Sequence, residues 1–288
     1  MNQKKKNTQQ PLRIAIQGER YAFSEIAARK FFGDAIEIVP CRAFDDVFAS
    51  VSRAQADYGV LPIENSLTGS IHRAYDLLLS NDLSIVGEVV LRIEQHLIAH
   101  PGVALQDIRV IYSHPQALEQ SRYFLTSLKN VEAIASYDTA GSVKMIRDKN
   151  LRDAAAIGSR WAAEDYGMQV LKAEIEDSPE NYTRFYILSR EPKVIGQANK
   201  TSILFSMKSI PGALFKSLSV FALRDIDLLR IESRPLRGRP WEYIFYLDFV
   251  GNMNQELCQN AIRHLQEITT QLKVLGSYAA ATLNSTTR

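Results

Sequence analysis

From residue 12 onward short apolar runs alternate with amphipathic stretches, and this alternation restricts the chain more than any other feature. It is the pattern of a largely parallel sheet with helices packed on its faces. Strands are predicted at Arg13 to Gln17, Ile36 to Pro40 and Tyr58 to Leu61, separated by helices Ser24 to Phe32 and Phe44 to Ala54. Ser24 is placed to cap the first helix and Gly33 to close it. After a hinge-like crossing over Val90 to His100 the pattern repeats, with strands Val110 to Tyr112, Ala133 to Ala135 and Ala155 to Ile157. Helices Pro115 to Leu128, Ala140 to Asp148 and Ser159 to Tyr166 lie between and after them. Two α/β lobes over residues 12–190, with crossings near 90–100 and 168–180, leave a cleft. Such sheets bind ligands beyond the carboxyl ends of their strands.

The segment 191–200 holds Pro192, Gly196, Gln197 and Asn199 and reads as a linker. Beyond it, over 201–280, the order is βαββαβ: strand Ser202 to Met207, helix Gly212 to Leu223, strands Leu228 to Ser233 and Tyr243 to Val250, helix Gln255 to Leu272, strand Val274 to Tyr278. That is the ferredoxin-like split βαβ arrangement. Its open face and free edge strands predict pairing with a second copy. Residues 1–11 and 281–288 read as a disordered arm and a frayed tail.

Charge and cysteine content exclude several classes. Across 288 residues, 34 Lys and Arg against 32 Asp and Glu leave a net +2, and the basic residues are scattered, so no field points towards nucleic acid or a membrane. No apolar run follows the three lysines near the start, so no secretory leader is expected, and no stretch is long enough to span a bilayer. Cys41 and Cys258 lie far apart with no metal-ligand spacing around them, which argues against a disulfide framework and a zinc site. They fit inert thiols in a reducing cytoplasm.

Four polar concentrations fall at strand ends. In Asn181-Tyr182-Thr183-Arg184-Phe185 an amide, a hydroxyl, a guanidinium and two rings precede the buried run Tyr186 to Leu188, which places them at a strand's lip. The stretch Pro62 to Ser70 includes Glu64, Asn65 and Ser66; Pro62 ends a strand there, and the loop either cradles a ligand or caps a helix through Thr68 or Ser70. In Ser113-His114-Pro115-Gln116, Ser113 can cap a helix that sets Gln116 and Gln120 side by side, and His114 is either structural or a general base. Asp138-Thr139-Ala140-Gly141-Ser142 is a strand-to-helix turn whose amides suit a carboxylate. Together these are neutral donors with one bidentate cation, suited to a small polyanion, and they contain no metal-ligand cluster. In the C-terminal part, Gly212-Ala213-Leu214 and Glu232-Ser233 could build an amino-acid pocket.

Read in order, these stretches resemble the prephenate dehydratase family over nearly the whole of Leu12 to Tyr278. Ile16-Gln17-Gly18-Glu19 with Ala22-Phe23-Ser24-Glu25 looks like the family's first motif, and the four polar concentrations look like the rest. Gly212-Ala213-Leu214 and Glu232-Ser233-Arg234-Pro235 resemble the phenylalanine-binding motifs of its regulatory ACT domain. The resemblance implies a catalytic domain similar to type II periplasmic binding proteins, followed by that ACT domain. It implies the cofactor-free, metal-free conversion of prephenate to phenylpyruvate, water and carbon dioxide in phenylalanine biosynthesis, with phenylalanine as allosteric effector and a dimer or tetramer paired through ACT domains.

By the same resemblance Thr183, Glu64, Asn65 and Gln120 are catalytic, and Ser113, Thr139, Arg184, Phe185 and Ser66 bind substrate. Gly212, Ala213, Leu214, Glu232 and Ser233 would take phenylalanine. Ser121 departs from members with cysteine there, and Arg20-Tyr21 stands where a Pro-Gly pair is common. Arogenate dehydratase is the nearest alternative, and a catalytically silent amino-acid sensor is another.

Overall fold

The structure is a computed structural model describing residues 10–236, 238–239 and 241–282. Most of the predicted N-terminal arm and residues 283–288 of the predicted tail lie outside the described residues. The first strands and helices are β1 (Leu12–Gln17), α1 (Phe23–Phe32), β2 (Ile36–Cys41), α2 (Phe44–Ser52), β3 (Tyr58–Asn65), β4 (Gly69–Ser70), α3 (His72–Ser80) and β5 (Ser84–Arg92). There follow β6 (His96–Ala99), β7 (Val110–Ser113), α4 (Pro115–Glu119), α5 (Arg122–Ser127), β8 (Glu132–Ala135), α6 (Thr139–Asp148), β9 (Ala154–Gly158), α7 (Arg160–Asp165), β10 (Gln169–Lys172) and β11 (Tyr182–Ser189). The remainder is β12 (Lys200–Ser206), α8 (Ala213–Ala222), β13 (Leu228–Pro235), β14 (Tyr243–Val250), α9 (Glu256–Ile268) and β15 (Gln271–Tyr278).

The chain divides into two compact units, one formed by residues up to Ala74 with Val89–Phe185, the other by Tyr75–Glu88 with Tyr186 onward. The linear division drawn from the sequence kept 75–88 in the first domain; in the structure that segment groups with the C-terminal unit. One sheet has the order β2-β1-β3-β11-β5, with β4 paired to β3, and a second has β10-β6-β9-β7-β8. The pairs β1/β2, β1/β3, β7/β8 and β7/β9 are parallel, as the alternation required. Small residues set the spacing in the second sheet: all of Ala154–Gly158 is buried, and a Cβ on Gly158 would stand 3.0 Å from Val143 of α6.

Four local expectations are corrected. The strand at Tyr58 does not stop at Pro62 but runs to Asn65; its ladder with β1 has already ended at Val60, and Glu64 and Asn65 pair with Ser70 and Gly69 instead. Pro62 thus sits where the ladder changes partner. Ser24 does not cap α1: its N-cap is Ala22, and the Glu25 carboxylate accepts from the Tyr21 N–H at 2.6 Å. The crossing Val90 to His100 is largely strand, since β5 and β6 occupy it. The helix Pro115 to Leu128 is broken in two, because the Asp177 carboxylate accepts from the Arg122 and Tyr123 N–H groups at 3.1 and 2.9 Å and starts a new helix there.

The C-terminal unit carries the βαββαβ order, with a sheet β13-β14-β12-β15 that is antiparallel throughout. Ile203, Phe205, Phe221, Phe249 and Leu265 form its core between sheet and helices. Its edge strands are β13 and β15. Among the described residues no helix is long and apolar enough to cross a membrane.

Candidate active site

In the first unit the two lobes are held together at one end of the sheets. The Glu19 N–H donates to the Asp138 carboxylate at 2.8 Å, Tyr137 Oη donates to Glu19 at 2.9 Å, and Lys144 pairs with Glu19 at 3.0 Å. Gly18 makes this approach possible: it has φ +104°, and a Cβ there would lie 3.2 Å from both Asp138 oxygens. Beside this junction lies a cavity of about 280 Å³ at the carboxyl ends of β1, β3 and β7. Its apolar wall includes Phe23, Phe44, Ile71, Ile93 and Phe185, and its polar wall includes Gln17, Asn65, Gln95, His114, Gln116, Gln120, Asp138, Thr139 and Thr183.

The polar wall is organised by a closed ring of three buried amides. Asn65 Nδ2 donates to Asn181 Oδ1 at 2.7 Å, Asn181 Nδ2 to Gln120 Oε1 at 3.0 Å, and Gln120 Nε2 to Asn65 Oδ1 at 3.3 Å. The direction of the ring is fixed from outside. The backbone N–H groups of Leu67 and Thr68 both approach one Asn65 atom at 3.1 Å, and since an N–H can only donate, that atom is the carbonyl oxygen. The other end of Asn65 is then a donor, and it reaches Thr183 Oγ1 at 3.0 Å. Thr183 receives a hydrogen bond there, so its own proton is left for a partner in the cavity.

The elements explain how these groups meet. Asn65 and Thr183 belong to the same sheet, while Gln120 comes from the other lobe at the end of α4, where the Asp177 N–H binds its carbonyl at 2.6 Å. Gln116, one turn earlier, donates to Thr68 Oγ1 at 2.8 Å. The two glutamines therefore do point the same way, as their spacing predicts.

Of the residues singled out from sequence, Thr183, Asn65, Gln120, Thr139 and Phe185 line the cavity. Glu64 and Arg184 do not: they face each other at 3.7 Å, each about one-third exposed. The reason is the two-residue period of a strand. Asn65, Thr183 and Phe185 turn inward, so their neighbours Glu64 and Arg184 turn to the other face. Ser66 and Ser113 also lie off the cavity. Ser66 Oγ donates to Glu180 O at 2.7 Å and accepts from the Tyr182 N–H at 2.9 Å. Ser113 is fully buried, with its hydroxyl on Ile157 O at 2.8 Å; the helix cap expected of it is supplied by His114 Nδ1, which accepts from the Gln116 N–H. Asn181, which is wholly buried, was not singled out as a site residue. Its signal was its place two residues before the key hydroxyl on a strand.

Among the described residues no lysine or arginine lines the cavity, so the expected bidentate cation is not on its wall. Positive potential comes instead from the starts of α1 and α6, whose Phe23, Ser24 and Thr139 are on the wall. Asp138 caps α6 by accepting from the Gly141 N–H at 3.1 Å, and burial holds its pKa above the ordinary carboxylate value against those backbone donors. Burial likewise lowers His114, which stays a neutral ring.

Residues 14–193 match the family model described as prephenate dehydratase. The chain is 50% identical over 282 residues to arogenate dehydratase/prephenate dehydratase 2, chloroplastic, of Arabidopsis thaliana, covering 94% of this chain and 74% of that protein. It is 48% identical over 283 residues to arogenate dehydratase 2 of Petunia hybrida, covering 93% and 71%. The solved prephenate dehydratase of Arthrobacter aurescens in complex with L-Phe superposes with a TM-score of 0.85 at 31% identity, covering 93% of this chain and 90% of that one. The cytoplasmic location expected from the cysteines is overturned by the chloroplastic Arabidopsis relative; two sparse thiols do not define a compartment. Matched along nearly its full length by these proteins, and over its first two lobes by the family model, the chain belongs to the prephenate dehydratase family.

Proposed function

We propose that the cavity carries out the decarboxylating dehydration of prephenate to phenylpyruvate, with the Thr183 hydroxyl as the group that protonates, or strongly hydrogen-bonds, the departing ring hydroxyl. The observation that carries this reading is the Asn65 donor on Thr183 Oγ1, which turns the threonine proton towards the cavity. In the step, the bond from the ring to its carboxylate breaks and its electron pair enters the ring. The carbon–oxygen bond opposite breaks, the hydroxyl takes a proton from Thr183 and leaves as water, and carbon dioxide departs. Aromatisation supplies the driving force, so no cofactor or metal is called for. A threonine hydroxyl is a weak acid, so partial transfer with re-protonation from water is the efficient form.

The starts of α1 and α6 hold the pyruvyl carboxylate, the role that Arg184 cannot fill from the far face of β11. The apolar wall around Phe23, Phe44 and Phe185 leaves the ring carboxylate poorly solvated, which favours its escape as a neutral molecule. Ser66, Ser113 and the Glu64–Arg184 pair act by positioning the strands. Incubation of the purified protein with prephenate yields phenylpyruvate in this reading, followed by its ultraviolet absorbance; ligand binding with no product would instead mean a silent sensor.

A second substrate reading rests on Asp138. Among the described residues its carboxyl is the one carboxyl group on the cavity wall, and arogenate, which bears an ammonium where prephenate has a carbonyl, would meet it there. The relatives named above carry both substrates in their names. Parallel assays with the two substrates, in wild type and Asp138→Asn, separate the readings: the substitution weakens arogenate turnover selectively if the ammonium contacts Asp138.

The C-terminal unit is read as an ACT regulatory domain. Gly212 takes the left-handed conformation at the start of α8, with φ +77°, and Ala213 and Leu214 help line a pocket of about 170 Å³ with Trp241 and Tyr243. Glu232 and Ser233 lie off that pocket on the edge strand β13. Pairing of two copies would bring them to a bound phenylalanine, so dimerisation and effector binding are proposed together. The A. aurescens protein binds L-Phe.

A further inference from the structure

Against the other side of α1 in the first unit is a second cavity, of about 260 Å³, whose walls include Phe23, Leu91, His96, Arg160 and Trp161. His96 is only 1% exposed. Its Nδ1 accepts from the Glu174 N–H at 3.1 Å, so the neutral ring carries its proton on Nε2. Among the described residues Nε2 makes no hydrogen bond, and His96 is on the cavity wall. Burial and the nearby Arg160 charge both lower the His96 pKa, which keeps the ring neutral. Arg92, on the same wall, is occupied by Glu94, Glu174 and Glu176. Arg160 is exposed and, among the described residues, makes no ion pair or hydrogen bond. Trp161 is 41% exposed beside it.

The wall also carries the Glu94 carboxylate, which Arg92 neutralises at 3.1 Å; the unengaged Arg160 guanidinium and the imidazole, over apolar and aromatic walls, then suit one chemical class. We infer that this cavity binds a small carboxylate with an aromatic body, its carboxylate on Arg160 and His96 Nε2 and its ring against Trp161, Leu91 and Phe23. Phe23 lines both cavities, so a ligand here shares a wall with the catalytic one. The inference rests on the cavity itself and stands apart from the elimination chemistry.

The chain has two tryptophans, so the full-length protein carrying Trp241→Phe reports from Trp161 alone. Titration with 3-phenylpropanoate should give a saturable change in Trp161 emission. The uncharged 3-phenylpropan-1-ol should bind roughly tenfold or more weakly, and Arg160→Ala should lose about the same factor for the acid, with Arg160→Lys recovering part of it. No saturation, an equal response to the alcohol, or an unchanged affinity in Arg160→Ala each overturns the site. Turnover is not read, so failure here leaves the assignment of Thr183 untouched.

Discussion

The role proposed for Thr183 rests on what donates to it. A lone threonine hydroxyl would spend its proton on the nearest carbonyl; here Asn65 occupies its acceptor side, and Asn181 and Gln120 hold Asn65 in the one orientation that does so. Asn181 does not line the cavity, yet it closes the ring. Asn181→Ala leaves the buried Gln120 Oε1 without its donor and removes one acceptor of the Asn65 amide, which keeps Thr183 Oγ1 and the Tyr182 carbonyl; this should cost about 1–3 kcal/mol of stability. It should also lower kcat more than it raises KM, as denaturant unfolding and steady-state kinetics would record.

His114 gives a pH signature. Its folded pKa lies below the ordinary 6.5 through burial, so between that lowered value and 6.5 the unfolded chain binds more protons. Stability is then full above pH 6.5 and declines as the pH falls through this window. His114→Asn should flatten that part of the acid limb, measured as Tm against pH.

Among elements, residues of β5, β11, β12, β14 and β15 in the second unit form a buried charge cluster. Lys200 Nζ lies 2.8 Å from Glu88 and 3.2 Å from Asp248, all nearly inaccessible, and Ser202, Tyr186 and Tyr278 complete the hydrogen bonding. Lys200→Met would strand two buried carboxylates, and the expected loss is about 3–5 kcal/mol in urea unfolding. β15 itself has no spare room: a Cβ on Gly276 would stand 2.0 Å from the Ile85 carbonyl, so Gly276→Ala should destabilise by about 1–3 kcal/mol through forced backbone shifts.

Element type and order were legible because they follow from hydrophobic period and turn residues. What escaped was set by partners distant in sequence. The break at Gln120 depends on Asp177, and the strand through Pro62 depends on where β1 stops pairing. The facing of Glu64 and Arg184 had a local signal, the two-residue period, which a contiguous polar motif obscures.

For the molecule as a whole, the α/β lobes and the βαββαβ unit could be drawn from the sequence, but the membership of residues 75–88 could not. That segment is continuous with the first lobe along the chain, and its grouping is decided by long-range bonds such as Tyr246 Oη to Tyr75 O at 2.8 Å. If the second unit binds phenylalanine, the amino acid at 100 times its Kd should stabilise it by about 2.7 kcal/mol. Gly212→Val, which cannot keep the left-handed turn, should abolish the corresponding rise in Tm. The most direct measurement is kcat for Thr183→Ala beside its affinity for substrate. A fall of about 10²- to 10⁴-fold in kcat with nearly unchanged binding is the expected result, and a variant turning over within threefold of wild type would contradict the role given to the Thr183 hydroxyl.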